Sequence, residues 1–154
     1  MHQAVFEPDR SFVAVDGDAF VGELMGATMR MTVPGPVVAR VGGVTSAGVV
    51  PTHQRRGVLT ALMRRHLEDA KEREEPISAL HASEGRIYGR FGYGVGTWNC
   101  EVSIETRRSS FRDATPVEGS VRMVDKDEAL RVMPGVYGRF AETRPGVIDR
   151  SPSW

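Results

Sequence analysis

The chain has one cysteine, no surplus of charge and no long hydrophobic run, and each shortage removes a class of protein. Cys100 stands alone, so an intramolecular disulfide is impossible and no Cys-x-x-Cys or Cys/His spacing for zinc exists; a reducing cytoplasm is the default location. Lys plus Arg number 20 and Asp plus Glu number 20, for a formal net charge of +0. No overall field draws the chain to nucleic acid or to an anionic membrane, and any anion it binds must be held by a local basic cluster. No apolar stretch approaches the roughly 18 residues that span a bilayer, and residues 1–10 lack the apolar segment of a secretion signal. The phosphate loop GxxxxGK(S/T) is absent, as is any internal repeat.

What is present fits one ordinary domain with little left over, since 154 residues fall within the roughly 100–200 that a domain takes. A hydrophobic fraction of 40% and a charged fraction of 26% describe a soluble globular chain able to bury a core. Seventeen glycines and nine prolines predict short elements and sharp corners.

Phe12-Val13-Ala14-Val15 closes on Asp16-Gly17-Asp18, an Asp-Gly step that predicts a tight hairpin. In the strand that follows, from Val21 to Val33, Met25, Ala27, Met29, Met31 and Val33 alternate with Gly26, Thr28, Arg30 and Thr32. That period of two predicts one buried face and one wet face. Pro34-Gly35-Pro36 ends it. Residues 37–41 and 43–50 read as two strand segments or as one strand with a bulge. After the break at Pro51, Leu59, Leu62, Met63, His66, Leu67 and Ala70 mark the buried stripe of an amphipathic helix, with Arg64, Arg65, Glu68, Asp69, Lys71 and Glu72 on the other face. Arg64 with Glu68 and Arg65 with Asp69 are i,i+4 pairs worth about 0.3 kcal/mol each. Pro76 marks its end. Residues 77–81 predict a strand, 84–91 one or two helical turns, and 97–104 a further strand in which Cys100 is a small buried side chain. Residues 107–119 read as a linker. Beyond it, 121–124 can be a strand, and Asp125 or Asp127 can cap a helix with Ala129, Val132, Met133, Val136, Tyr137 and Phe140 on one face, bent at Pro134. Trp154, apolar at the last position, suggests a chain cut before its partner. The class is α/β or α+β.

Gln54-Arg55-Arg56-Gly57-Val58-Leu59 lies between a strand and a helix. There the first helical N–H groups lack acceptors, the helix dipole is positive, Gly57 permits close backbone approach and two arginines can grip phosphate oxygens. A solvated basic loop capping a helix explains the same string equally well.

The longer run Val49-Val50-Pro51-Thr52-His53-Gln54-Arg55-Arg56-Gly57-Val58-Leu59 resembles the acetyl-CoA signature of the GCN5-related N-acetyltransferases (GNAT superfamily), with its Q/R-x-x-G-x core. Ala79-Leu80-His81-Ala82-Ser83-Glu84-Gly85-Arg86-Ile87-Tyr88-Gly89-Arg90-Phe91-Gly92-Tyr93-Gly94 is similar to the motif of the Eis (enhanced intracellular survival) acetyltransferases. The likeness runs from about Ser11 to Trp154 and is strongest over 47–94.

This resemblance implies a mixed, mostly antiparallel sheet flanked by helices and splayed between two central strands, with acetyl-CoA in the gap. The backbone of Val49 and the segment Gln54, Arg55, Arg56, Gly57 and Val58 would hold pantetheine and pyrophosphate, Ser83 would lie near the thioester, and Tyr88 matches the general acid. A phenol of reference pKa ~10 can protonate a leaving thiolate at neutral pH, although Tyr88 can also simply pack its ring. Tyr93 does not match the catalytic position and reads as structural. His81 and Glu84 can line the amine pocket, as alternatives to a wall residue and a helix cap. No metal set forms around His53 or His66.

The resemblance also implies that the usual first strand and helices are lacking, because Met1 to Asp9 is too short for them. Such relatives continue into a second acetyltransferase-like domain and a sterol-carrier-like domain, whose terminal carboxylate serves as base. The expected division is an acetyl-CoA-binding domain over 1–106, a linker over 107–119, and the start of a second domain over 120–154. The chain is then a fragment, a truncated product, or a chain completed by another copy, which makes a homo-oligomer the expected assembly. Three functions stand: an acetyl-CoA-dependent N-acetyltransferase acting on a primary amine of a small molecule, peptide or lysine; a non-catalytic CoA-binding or assembly fragment; and an interaction module using Arg55, Arg56, Arg64 and Arg65, which zero net charge disfavours.

Overall fold

The Asp16-Gly17-Asp18 corner turns β1 (Ser11–Asp16) back into β2 (Ala19–Val33) in a tight antiparallel hairpin. The structure is a computed structural model that describes residues 7–35, 37–98, 100–110 and 118–150. β2 pairs antiparallel with β3 (Val37–Val49), a single strand where the sequence allowed two segments. The register shifts between Met25 and Gly26 of β2, across from 44–46 of β3, so the strand carries its irregularity at Thr45 rather than at the break between 41 and 43, where the ladder is regular. α1 (Val58–Glu72) crosses over and delivers β4 (Ile77–Leu80) parallel to β3, completing a mixed four-stranded sheet in the order β1-β2-β3-β4. A parallel neighbour requires such a crossover, because a hairpin can only reverse the chain.

The helical stripe read from the sequence packs as expected. Leu62 and Met63 join Leu24 and Val44 in a buried cluster, ringed by Phe12, Ala14, Ala47, Val58, Leu59, Leu80, Tyr88, Phe91 and Tyr93. The opposite face of the sheet holds a second cluster of Ala27, Met29 and Val41, with Met31, Ile77, Ala79 and Ile148 against it.

The wet face of β2 is less wet than its alternation predicts. Gly26 is buried because the backbone of Arg10 lies over it, 2.6 Å from where a Cβ would stand. Thr32 is buried under the end of α3 (Lys126–Glu142), and its hydroxyl donates to the Ala141 carbonyl at 2.7 Å. Beyond the end of β1, the edge of β2 is taken by 146–149: Gly146 N–H donates to the Thr32 carbonyl at 2.8 Å, Thr32 N–H to Val147 at 3.1 Å, and Asp149 N–H to Arg30 at 2.8 Å. The Tyr137 hydroxyl donates to the Ile148 carbonyl at 2.6 Å. α3 starts as predicted, Asp125 capping it by accepting from Glu128 N–H at 2.8 Å, and carries Pro134 inside. Its expected apolar face is largely exposed at Val132, Met133, Val136 and Phe140.

Three further expectations fail. Residues 97–104 form no strand among those described, since no neighbouring strand lies beside them to take their hydrogen bonds; Cys100 is therefore exposed rather than buried. Residues 121–124 are irregular for the same reason. Asp69 is buried rather than solvated, and Arg65 pairs with Glu72 at 3.6 Å instead. Residues 111–117 of the linker, Pro36 and Trp154 lie outside the described residues.

What claims Asp69 is Arg10, which is fully buried. Its Nε donates to Asp69 at 3.2 Å, Nη1 to Glu75 at 2.8 Å and to Thr28 Oγ1 at 2.9 Å, and Nη2 to the other Glu75 oxygen at 2.6 Å. Arg73 braces the rim, reaching Asp69 at 3.0 Å and Asp9 at 3.1 Å. The forked guanidinium matches the carboxylate in two parallel bonds, and this cluster ties the entry to β1 to the far end of α1. Removing one member strands the others without solvent. Arg10→Met is expected to cost about 3–5 kcal/mol in urea-induced unfolding; a loss below about 1 kcal/mol, the range of exposed pairs, would show that the cluster does not hold the sheet to the helix.

Candidate functional site

β3 leaves the sheet at its upper end with one edge uncovered. Val50 N–H donates to the Val21 carbonyl at 3.0 Å, and successive amides of a strand point to opposite edges, so Val49 N–H points away from β2 toward β4. β4 covers that edge only from Val41 to Val44, opposite Ile77 to Leu80. Beyond this short ladder the chain after Leu80 diverges, and among the described residues no strand pairs with 45–49 on that side.

The exposed edge leads into a corner whose backbone can seat an anion. Pro51–His53 makes one 3-10 turn, then Arg55 and Gly57 both take left-handed backbone conformations, at φ 60° and 86°. Gly57 is the N-cap of α1 and brings no side-chain cap, and the first turn of α1 contains no acidic residue. The first bond into the helix runs from Ala61 N–H to the Gly57 carbonyl at 3.0 Å; ahead of it, the amides of 55–60 meet no protein acceptor among the described residues. Unpaired N–H groups, an alternating backbone and the positive end of the helix dipole together favour a phosphate-sized anion. The side chains of Gln54, Arg55 and Arg56 are exposed around it, and Val58 turns inward to pack on the cluster under β2.

Asp16, at the hairpin tip, was not singled out in the sequence, and nothing local marks it. Its Oδ2 lies 3.1 Å from His53 Nε2 and 3.9 Å from Arg56 Nη2, while the Thr52 hydroxyl meets His53 Nδ1 at 2.9 Å. The hairpin thus orients one wall of the corner.

Tyr88 ends the short helix α2 (Gly85–Tyr88), and a 3-10 turn, Gly89–Phe91, follows. Its ring is half-buried against the same cluster that Val58 packs on, so the anion corner and this phenol share one foundation. Among the described residues, its hydroxyl has no hydrogen-bond partner. The Tyr93 hydroxyl differs: it is bonded to Ser78 Oγ, and burial pushes its pKa up, so its proton is committed. The two tyrosines are thereby separated into one fixed and one available group. His81, Ser83 and Glu84 follow β4 as an exposed segment. Glu84 stands at the N-cap of α2 but makes no side-chain capping bond. None of the three contacts Tyr88 through a hydrogen bond among the described residues. The Ser78 link was invisible in the sequence beyond a single polar residue inside the run Ile77-Ser78-Ala79-Leu80.

On the face of the sheet opposite α1, a cleft of about 440 Å3 is lined by Val13, Phe20, Gly22, Glu23, Gly48, Val49 and Val50. It opens beside the strand segment whose edge is unpaired. Among the described residues no group of histidine, cysteine or carboxylate side chains can hold a metal ion, and no helix is long and apolar enough to cross a membrane.

Comparison with known proteins fits this geometry. The family described as an acetyltransferase (GNAT) domain matches residues 1–96. An uncharacterized N-acetyltransferase of Streptomyces avermitilis is 42% identical over 154 residues, covering 99% of this chain and 37% of that protein. The N-acetyltransferase Eis of Mycobacterium tuberculosis is 38% identical over 138 residues, 87% of this chain and 34% of its own length. The crystal structure of Eis1 from Mycobacterium abscessus superimposes with a TM-score of 0.77 at 34% identity, over 98% of this chain and 38% of that one. The chain spans well under half the length of the relatives it matches.

The left-handed N-cap yields a test of the corner itself. No atom lies within 4 Å of where a Cβ on Gly57 would stand, so Gly57→Ala pays only for its backbone angle, about 1–2 kcal/mol, read as a shift of the urea midpoint. An unchanged midpoint would mean that the corner relaxes to another conformation.

Proposed function

The chain belongs to the acetyltransferase (GNAT) family, and on that premise we propose that it moves the acetyl group of acetyl-CoA to a primary amine of a small molecule, peptide or lysine side chain by direct attack. The observation that carries this reading is the continuity of the uncovered β3 edge at Val49 with the unpaired amides ahead of α1. A long thin thioester carrying a diphosphate at one end has that shape of need: a strand-like partner for its amides and an anion seat beyond. In this reading the backbone of Val49 and residues Gln54, Arg55, Arg56, Gly57 and Val58 hold pantetheine and pyrophosphate. Ser83 lies toward the thioester, and His81 and Glu84 border the amine.

The chemistry assigns Tyr88 the acid role. The free amine attacks the acetyl carbonyl carbon, the C–N bond forms, and collapse of the tetrahedral intermediate breaks the C–S bond. The departing sulfur takes the phenolic proton, and the ammonium proton leaves to a base. Strand amides beside Val49 can stabilise the developing oxyanion. The uncommitted hydroxyl of Tyr88 supports this choice over Tyr93.

By the same reading, 1–106 is the acetyl-CoA-binding domain, 107–119 the linker and 120–154 the start of a second acetyltransferase-like domain. A second function, a non-catalytic CoA-binding or assembly fragment, is favoured by the apolar side chains left exposed at Trp98, Val102 and Ile104. CoA binding with no thiol release across a panel of primary amines would select it.

Tyr88→Phe is expected to lower turnover about 100-fold with acetyl-CoA affinity nearly intact; equal turnover rules out the acid assignment. Replacing Arg55 and Arg56 together with alanine should weaken CoA binding in calorimetry, since each guanidinium offers a charge-assisted grip on phosphate. Undiminished affinity would put the diphosphate elsewhere.

A further inference from the structure

Tyr93 was expected to be merely structural, yet its surroundings are more specific than ring packing requires. Ser78 has one hydroxyl hydrogen, and it donates to the Gly42 carbonyl at 2.9 Å. Its oxygen must therefore accept from its other two neighbours, the Tyr93 hydroxyl and His66 Nε2, the latter at 2.9 Å. His66 is fully buried on α1, where burial and then the charge of Arg10 lower its pKa; with the Ser78 hydrogen given to Gly42, the donated hydrogen sits on Nε2, and Nδ1 is buried and unpartnered. Three elements meet at one serine: α1 through His66, β3 through Gly42, and the turn after α2 through Tyr93.

The other end of Tyr93 reaches Tyr88. The rings stand edge to face, centroids 6.2 Å apart and planes at 69°. Between them Gly92 takes φ 91°, and Tyr93 N–H closes back on the Tyr88 carbonyl at 3.4 Å. An aromatic edge contact is directional, so it selects one ring orientation when its partner cannot rotate.

We propose that Tyr93 is a positioning residue for Tyr88: anchored through Ser78 to His66 and Gly42, it fixes the ring edge that sets where the Tyr88 hydroxyl points. The catalytic consequence rests on the reading of Tyr88 as the acid; the structural link does not. The same anchor runs into α1, so the helix whose first turn forms the anion corner also steadies the phenol.

The test uses the full chain with Tyr93→Phe, Ser78→Ala and both together. Tyr93→Phe keeps the ring and removes only the anchor. With acetyl-CoA and a primary-amine panel, kcat should fall about tenfold in each single variant, a fraction of what misplacement by a full ångström costs. The double variant should be no worse than the singles, because both cut one link, and CoA affinity by calorimetry should not change. A lowered melting temperature with unaltered kcat would overturn the proposal. The chain has three tyrosines, so ring-labelled tyrosine NMR resolves Tyr88 directly: its ring resonances should shift in Tyr93→Phe and in Ser78→Ala. Unmoved Tyr88 resonances refute the positioning link whether or not the wild-type chain turns over. Absent turnover in the wild type with moved resonances counts against the acetyltransferase reading and leaves the link standing.

Discussion

The parallel ladder between β3 and β4 is four residue pairs long, and where it stops decides the rest of the molecule. Below the stop, Val41 to Val44 satisfy their backbone groups against Ile77 to Leu80, and the sheet is closed over two buried clusters. Above it, 45–49 keep one edge without a strand among the described residues, a condition that backbone N–H and C=O groups tolerate only beside water or another polar partner. β3 runs on into a turn with two left-handed residues, and the chain after β4 runs on into the short helix that carries Tyr88. A longer ladder would have filled the gap and left a closed sheet with a capped helix.

Two buried polar systems hold α1 to the sheet. Arg10 with Asp69, Glu75 and Thr28 holds the far end of α1 to the entry of β1. His66 with Ser78, Gly42 and Tyr93 holds the middle of α1 to the two strands and to the turn after α2. The systems are electrostatically connected, since the Arg10 charge is one reason His66 stays neutral. Apolar packing alone would tolerate small slides of a helix over a sheet; directional bonds to buried partners restrict them.

The opposite end of the chain follows another logic. Residues 146–149 occupy the β2 edge that β1 leaves, so α3 is stitched to the sheet through Thr32 and Tyr137. Yet Trp98 is 90% exposed, and Val102, Ile104, Met133 and Val136 also face outward. These exposed side chains coincide with the elements that sequence patterning expected to be buried. The periodicity of 97–104 and of α3 thus expects a burial that the described residues of this chain do not supply.

Local chemistry dictated the elements whose partners lie nearby. The Asp-Gly hairpin, the alternation of β2, the stripe of α1, the Asp125 cap and the turn into Gly57 are set by backbone angles and by period, which adjacent residues fix among themselves. The end of the strand at Val49, the turn before Val58 and the helical turn at 85–88 were legible for the same local reason. Only the folded chain could decide that Asp69 is buried and Cys100 exposed, that Asp16 lies between His53 and Arg56, that 97–104 has no strand beside it among the described residues, or that Tyr93 is tied down while Tyr88 is not. Those outcomes join residues tens of positions apart, and a side chain's polarity does not reveal which distant group will share its desolvated space.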